Sequence, residues 1–298
     1  MLSSLLSLYI SNTIAHTENI NFKNLNYTFD LNINNTTQEL TENYVPKKDQ
    51  RMIEPIINSS SAIVLDYETG EILYEKNAHA KLSIASTTKI MTDTIILEEN
   101  NLEDIATISK YAANQPGSRM GIYTGEKISI LNLIYGSLIA SGNDASTALA
   151  EYNAGSTTKF VEKMNQKAEK LKLVNTHFAN PTGLDQADHY SSSYDLAKLS
   201  IYAYKNPNIQ KIVKTKDIII HTENNRELHL TNTNELLNSY LNILGFKTGS
   251  TENAGDCLIS IAENEKNNKI VTVVLNSPNR FQESKNLIDW TFRAYNWK

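Results

Sequence analysis

The chain has 298 residues, of which 40% are hydrophobic, and 28 basic and 33 acidic side chains give it a formal net charge of −5. Hydrophobic residues in that proportion can build one large domain or two lobes. The charge balance, without any block rich in Lys and Arg, argues against the basic surface that nucleic-acid binding requires. The single cysteine, Cys257, excludes an intramolecular disulfide and any multi-cysteine metal site.

The first fifty residues do not have the pattern of a folded domain. A short apolar segment followed by small residues around Ala15 is similar to an export signal, although no Lys or Arg precedes it. The sequence from His16 to about Gln50 is rich in Asn and Thr, which is typical of a disordered linker. We therefore expect residues 1–50 to be a signal-like segment and linker. We also expect export to the periplasm or the extracytoplasmic face of the membrane, with any membrane attachment through this segment.

Residues 51–298 have the pattern of a folded domain that begins with a hairpin and a helix. Ala62–Leu65 and Ile72–Tyr74 are short β-rich runs joined around Thr69-Gly70, which predicts a β-hairpin. From residue 86 to residue 98 the apolar side chains recur at helical intervals. Mostly helical patterns continue to about residue 209, so a helical lobe is expected after the hairpin.

The spacing of the apolar residues changes after residue 210. Short β-branched runs separated by polar turns predict an antiparallel meander; they read KDIIIHTE, ELHLT, LGFKTGST, GDCLISIAEN and KIVTVVLNS. Cys257 falls within one of these runs and is expected to be a small core residue. The last segment returns to a helical pattern, and we expect that helix to pack on the sheet.

These elements predict the fold class and the domain organisation. We expect an α/β fold of the α+β type, with an antiparallel sheet flanked by N- and C-terminal helices. Residues 51–100 and 210–298 form the sheet lobe of this domain, and residues 101–209 form an inserted all-helical lobe.

A serine lies three residues before a lysine at the start of the first predicted helix. Residues three apart share one face of a helix, so the Ser86 hydroxyl is within reach of the Lys89 amine. A serine becomes a good nucleophile when a neighbouring base accepts its proton, and a lysine is such a base only when burial or another cation keeps it neutral. The apolar neighbours Ile84, Ile90 and Met91 make burial of Lys89 plausible.

The same four letters, STTK, occur a second time at Ser156–Lys159. This copy follows Gly155 and begins a highly charged amphipathic run, which is typical of a surface helix capped by a serine. We expect Ser156 to be a helix cap and Ser86 to be the nucleophile.

Two further motifs follow Ser86-x-x-Lys89 in the order that distinguishes a catalytic set from chance matches. They are Ser141-Gly-Asn143 and Lys247-Thr-Gly249. Together the three motifs are similar to the signature of the penicillin-recognising serine acyltransferases.

Each residue of the two later motifs has a physical role in acyl transfer. Ser141 can relay a proton to a leaving amine, and the Asn143 amide can bind a backbone group of the substrate. Lys247 supplies a second cation, which keeps Lys89 neutral and attracts a substrate carboxylate, and Thr248 can hydrogen-bond that carboxylate. Gly249 is expected to leave room for a substrate along the strand edge.

Longer blocks of the sequence resemble the serine D-alanyl-D-alanine carboxypeptidases, the low-molecular-mass penicillin-binding proteins of the β-lactamase/transpeptidase-like superfamily. The blocks are VLDYETGEILYEKNAHAKLSIASTTKIMT, GEKISILNLIYGSLIASGNDAS, NPTGLD, GFKTGSTENAGDCLISIAE and NRFQESKNLIDWTF. The resemblance implies that Ser86 attacks the terminal D-Ala–D-Ala bond of a peptidoglycan stem peptide. It also implies that β-lactam antibiotics act as inhibitors by acylating Ser86.

The resemblance assigns roles to two more residues and implies no cofactor. Backbone N–H groups of Ser86 and Ser250 would form the oxyanion hole, and Arg280 would lie near the site of the substrate carboxylate. No metal is expected, because the histidines do not have the spacing of metal ligands.

Three alternatives remain at this stage. A D,D-endopeptidase that cuts cross-links between stem peptides would use the same residues. A class A β-lactamase needs a glutamate that activates the deacylating water, and the two candidates, Glu162 and Glu169, lie in the surface-like run after Ser156. A non-catalytic β-lactam sensor would keep the motifs without turnover.

Overall fold

The computed structural model describes residues 45–297 of the chain, which fold into strands and helices. The predictions for residues 1–44 lie outside these residues. The strands are β1 (Lys47–Lys48), β2 (Ser61–Asp66), β3 (Ile72–Lys76), β4 (Ile105–Thr107), β5 (Lys127–Ser129), β6 (Asp217–His221), β7 (Glu227–Thr231), β8 (Ile243–Thr251), β9 (Gly255–Glu263), β10 (Lys269–Ser277) and β11 (Tyr295–Asn296). The helices are α1 (Lys89–Glu99), α2 (Lys110–Ala113), α3 (Ile130–Leu138), α4 (Asn143–Ala154), α5 (Thr157–Lys170), α6 (Ser193–Tyr204), α7 (Pro207–Lys214) and α8 (Arg280–Ala294).

Five antiparallel strands form the central sheet, in the order β3-β2-β10-β9-β8. Side chains of a strand alternate between its two faces, and here the apolar residues of both faces are buried. In β10, Val271 and Val273 belong to a large core shared with the helices. Ile270 and Val274 belong to a second core on the opposite face. The sheet is therefore covered on both sides.

The C-terminal helix α8 covers the second face of the sheet. Leu287 and Ile288 are fully buried in the second core, together with Val64 of β2 and Leu258 of β9. The prediction that the last helix packs on the sheet is confirmed. Cys257 is fully buried in the large core, which confirms it as a core residue.

The helical lobe lies against the other face, and the predicted fold class is confirmed. The lobe contains, in addition to its helices, a two-stranded ribbon of β4 and β5. No helix among residues 45–297 is long and apolar enough to cross a membrane.

The predicted meander is wrong in one respect, because β6 and β7 form a separate hairpin and do not join the sheet. Their burial alternates between exposed and buried residues, whereas the central strands are buried on both faces. The inward side chains, Ile220, Leu228 and Leu230, belong to the large core. The β6–β7 hairpin therefore has one apolar face, which packs on the helical lobe.

The short strand β1 pairs with β11 near the C-terminus. In the central sheet, β8 is an edge strand. A 3₁₀ turn at Ala85–Thr88 lies directly against β8. This turn continues into α1. The predicted nucleophile is therefore placed at the junction of the sheet with the helical lobe.

Candidate active site

Ser86 lies in the 3₁₀ turn Ala85–Thr88, whose backbone is fixed by contacts within the turn and with Gly183. Ala85 has a φ of +47°, a left-handed conformation that is unfavourable for residues other than glycine and is common at functional sites. Its carbonyl accepts a hydrogen bond of 2.8 Å from Thr88 Oγ1. Gly183 packs so closely that a Cβ there would lie 1.9 Å from Ala85 O. These contacts fix the direction in which the half-buried Ser86 side chain points.

Lys89 is fully buried and its amine has three oxygen neighbours. Nζ lies 2.9 Å from Ser86 Oγ, 2.7 Å from Asn143 Oδ1 and 2.7 Å from Thr182 O. The last two oxygens can only accept hydrogen bonds. A neutral amine has two N–H groups and one lone pair, so donation to both acceptors leaves its lone pair for the Ser86 hydroxyl proton. The geometry is that of a general base beside its nucleophile.

The surroundings of Lys89 favour the neutral amine. Burial, and then the nearby cation of Lys247, hold the pKa of Lys89 well below its usual range, while Asp93 and Asp144 act in the opposite direction. Burial also lowers the pKa of Lys247 to about 7. Desolvation disfavours the charged form of each lysine, and the two cations oppose each other.

The Ser141–Asn143 loop joins α3 to α4. Ser141 has a φ of +58°, and its Oγ accepts a hydrogen bond of 2.9 Å from Lys247 Nζ. Both ends of the Asn143 amide have protein partners, since Oδ1 accepts from Lys89 and Nδ2 donates to Pro116 O at 2.7 Å. Asn143 therefore positions Lys89, and its amide keeps a second N–H for the predicted contact with a substrate, because Nδ2 carries two donors.

The strand β8 brings the third motif to the same place. Lys247 and Thr248 are buried and Ser250 is exposed. Lys247 Nζ also donates to Thr248 O at 3.0 Å, and Thr248 Oγ1 lies 2.5 Å from Thr233 Oγ1. Alternate residues of a strand direct their backbone polar groups to the same edge. The Ser250 N–H therefore faces the same free edge of the sheet as Thr248 O.

Gly249 has a role in packing that the sequence analysis did not predict. A Cβ at this position would lie 2.9 Å from both Ala85 Cβ and Ser86 N, so the missing side chain makes room for the turn of the nucleophile. Arg280, at the start of α8, donates to Gly249 O at 2.8 Å and to Asp256 Oδ1 at 3.2 Å. The structure therefore places Arg280 beside β8 and β9, one residue from Thr248.

The second STTK is a helix cap, as predicted. Ser156 Oγ accepts a hydrogen bond of 3.3 Å from Lys159 N at the first turn of α5. Glu162 and Glu169 are exposed side chains on the same helix. No carboxylate among residues 45–297 is hydrogen-bonded to Ser86 or Lys89.

The sequence analysis did not predict that residues 179–189 pack against the 3₁₀ turn of Ser86. Thr182 contributes its carbonyl to Lys89, and Gly183 gives the close approach to Ala85. His189 accepts from Ala179 N at 3.0 Å through Nδ1, and its Nε2 lies 2.7 Å from Thr88 Oγ1. Burial lowers the pKa of His189 to about 4, so a neutral ring links this loop to the turn. The only signal in the sequence was the NPTGLD block, which the resemblance contained without assigning it a role.

Residues 48–279 match the peptidase family described as D-alanyl-D-alanine carboxypeptidase. The chain belongs to this family. The chain is 35% identical to D-alanyl-D-alanine carboxypeptidase DacF of Bacillus subtilis over 260 residues, which cover 85% of this chain and 67% of the relative. It is also 35% identical to DacC of Escherichia coli over 263 residues, which cover 83% of this chain and 64% of that protein. The chain thus spans about two thirds of the length of these relatives.

Among solved structures, the Streptomyces K15 DD-transpeptidase matches with a TM-score of 0.77 and 31% identity, over 81% of this chain and 99% of that one. The resemblance expected from the sequence blocks, and the β-lactamase/transpeptidase-like fold that it implied, are confirmed.

Proposed function

We propose that this protein is a serine D-alanyl-D-alanine carboxypeptidase that removes the terminal D-alanine from peptidoglycan stem peptides through an acyl-enzyme on Ser86. The observation that carries the proposal is the Lys89 amine, whose two acceptors at 2.7 Å leave its lone pair for Ser86 Oγ at 2.9 Å. The names of the relatives support the substrate.

In the acylation step, Ser86 Oγ attacks the carbonyl carbon of the penultimate D-alanine and its proton passes to Lys89. The oxyanion that forms is stabilised by the backbone N–H groups of Ser86 and Ser250, which are preorganised donors. The C–N bond then breaks and D-alanine leaves. Because Ser141 Oγ accepts a hydrogen bond from Lys247, Ser141 can give its own proton to the leaving amine while Lys247 returns a proton to Ser141 Oγ.

The substrate carboxylate is expected to bind between β8 and α8. Lys247 makes two hydrogen bonds within residues 45–297, so its ammonium has a third N–H for an anion. Thr248 adds a hydroxyl, and Arg280 adds positive charge near the same strand edge. A β-lactam has a carboxylate and a reactive carbonyl, so it is expected to acylate Ser86 as an inhibitor. Hydrolysis of the acyl-enzyme by water completes the reaction.

The substrate also determines where the enzyme acts. Peptidoglycan lies outside the cytoplasmic membrane, so the protein acts in the periplasm or on the extracytoplasmic face of the membrane, in agreement with the signal-like N-terminus. Any attachment to the membrane would be made through that segment. The expected partners are the stem peptide and β-lactams, without nucleic acid, metal or cofactor.

The two STTK motifs provide a matched test. The protein, Ser86→Ala and Ser156→Ala are incubated with a diacetylated Lys-D-Ala-D-Ala tripeptide and, separately, with benzylpenicillin. We expect Ser86→Ala to abolish both D-alanine release and the penicillin adduct detected by intact mass, and Ser156→Ala to retain both. Loss of both in Ser156→Ala alone would refute the assignment of Ser86.

The other readings give different outcomes in the same assay. Rapid penicillin hydrolysis without D-alanine release would indicate a β-lactamase, and a lasting adduct without release would indicate a sensor. Cleavage of cross-linked dimers in preference to the tripeptide would indicate an endopeptidase. Transfer of the acyl group to an added amine would indicate the transpeptidase activity named for the Streptomyces K15 enzyme.

A further inference from the structure

A buried carboxyl group that the proposed mechanism does not use lies one helical turn after Lys89. Asp93, on α1, is fully buried, and its Oδ2 is 2.7 Å from Ser137 Oγ on α3. Ser137 Oγ is 2.9 Å from Ser146 Oγ on α4, and Ser146 Oγ is 2.9 Å from Gly142 O. Gly142 stands between Ser141 and Asn143. One chain of contacts thus links the helix of the proposed base to the second motif.

Counting protons along this chain determines the state of Asp93. The three contacts, Asp93–Ser137, Ser137–Ser146 and Ser146–Gly142 O, each need one proton. The two serines supply one proton each, and a carbonyl oxygen supplies none. If Asp93 were ionised, two oxygen atoms in one of these contacts would lie at hydrogen-bond distance with no proton between them. A protonated Asp93 supplies the missing proton and satisfies every contact.

The rest of the environment also favours the neutral acid. Asp93 Oδ1 has no hydrogen-bond partner within residues 45–297, a feature that it shares with Asp195 Oδ1, so the contacts of Oδ2 are what distinguish the two buried aspartates. Lys89 on the same helix and Lys247 on β8 are the cations that face Asp93, and Asp144 on α4 is the other acid facing Lys89. Burial raises the pKa of Asp93 to about 8 despite both lysines.

A second buried aspartate shows the contrasting case. Asp195 accepts a backbone N–H from Asn175 at 2.7 Å and the Thr176 hydroxyl at 2.8 Å. Thr176 Oγ1 is 2.7 Å from Ser191 Oγ, whose other contact, with Ser192 O, is 3.5 Å long. The short contacts there have enough protons without one on the carboxyl group. Asp195 is therefore a matched control for Asp93.

We propose that Asp93 is a positioning residue and a neutral carboxylic acid, a proposal that rests on the proposed function. Asp93 donates a hydrogen bond to Ser137, Ser137 donates to Ser146, and Ser146 donates to the Gly142 carbonyl. In this state it fixes the loop that presents Ser141 and Asn143. It also places no anion beneath Lys89, so the amine keeps its lone pair for Ser86. Loss of the Asp93 proton breaks the chain and stabilises the Lys89 ammonium, which is the inactive form of the base.

The test uses the full chain in three variants, Asp93→Asn, Asp93→Ala and Asp195→Asn. Infrared difference spectra between the parent and each Asn variant identify the protonation state of the replaced carboxyl group. We expect the parent minus Asp93→Asn spectrum at neutral pH to contain the carbonyl stretch of a protonated carboxyl group, which disappears as the pH rises through about 8. The Asp195→Asn difference is the control spectrum for a buried aspartate whose short contacts need no proton from the carboxyl group.

Acylation by benzylpenicillin tests the positioning role. Asp93→Ala is expected to lower the acylation rate about 100-fold, as a small misplacement of catalytic groups does. Asp93→Asn, which keeps an N–H donor without charge, is expected to restore most of that rate and to lose the decline at high pH that belongs to Asp93.

Two results would overturn the proposal. One is a carboxylate band for Asp93 at neutral pH, and the other is an Asp93→Asn variant no faster than Asp93→Ala while both remain folded. Neither result would affect the Ser86→Ala and Ser156→Ala comparison, so failure of this inference is separable from failure of the proposed function.

Discussion

At the scale of single residues, the site depends on two buried lysines that differ in their partners. Lys89 has two carbonyl acceptors and a serine hydroxyl, so its neutral form satisfies all its contacts. Lys247 has Ser141 Oγ and Thr248 O, which leaves one N–H for a substrate anion. The charge on Lys247 lowers the pKa of Lys89, and it is also proposed to bind the substrate carboxylate.

Replacing Lys247 by Gln tests this division of roles. Lys89 is an active base above its own pKa, so the rate of acylation rises with pH through that value. Without the cation at 247 the pKa of Lys89 increases, and the rising limb should move to higher pH. The measurement is the rate constant of acylation by benzylpenicillin as a function of pH.

The control for that series is Lys159→Gln, in the STTK that caps α5. Lys159 is exposed, so its replacement should leave the pH profile where it was. If Lys247→Gln lowered the rate equally at every pH, Lys247 would act on substrate binding alone, and the explanation of the neutral Lys89 would be wrong.

At the scale of elements, the sequence predicted what depends on local spacing. The Ser86–Lys89 pair, the cap at Ser156 and the burial of Cys257 follow from helical or strand periodicity and are present in the structure. The separate β6–β7 hairpin was not predictable, because alternation indicates a strand but not its partner. The Thr182 carbonyl was not predictable either, since every residue has one.

Gly183, in the loop that packs against the 3₁₀ turn, is expected to determine the position of Ser86. In Gly183→Ala the new Cβ would lie 1.9 Å from Ala85 O, which is backbone and cannot move without the turn. We expect the rate of acylation to fall about 100-fold as Ser86 is displaced, together with a lower melting temperature.

Gly70→Ala separates the clash from backbone strain. Gly70 also has a positive φ, +72°, but no heavy atom lies within 4 Å of its added Cβ. Both variants place alanine in an unfavourable conformation, so both should lower the melting temperature. Only Gly183→Ala should lower the acylation rate, and an equal rate in the two variants would show that Ser86 does not depend on this contact.

At the scale of the whole molecule, the site combines elements that are far apart in the chain. The proposed nucleophile lies in the 3₁₀ turn before α1 and the proposed base is the first residue of α1. Ser141 and Asn143 lie where α3 is joined to α4, and the second lysine lies in β8. Arg280 adds the first residue of α8, on the far face of the sheet, through its bond to Gly249 O. The C-terminal helix therefore supports the strand edge along which the substrate is proposed to lie.

Arg280→Gln tests whether this support extends to substrate binding. The Arg280 side chain is only 17% exposed and donates to both Gly249 O and Asp256. The Arg280 charge lies near the expected carboxylate site and takes no part in proton transfer. Its loss should therefore raise KM for the peptide about tenfold, which corresponds to one charge-assisted hydrogen bond, and should change kcat little. Arg293→Gln, on the same helix with a side chain 63% exposed and paired to Asp289, should change neither constant. A fall in kcat at constant KM would instead mean that Arg280 acts on the Ser86 turn through Gly249, and the carboxylate would then depend on Lys247 and Thr248 alone.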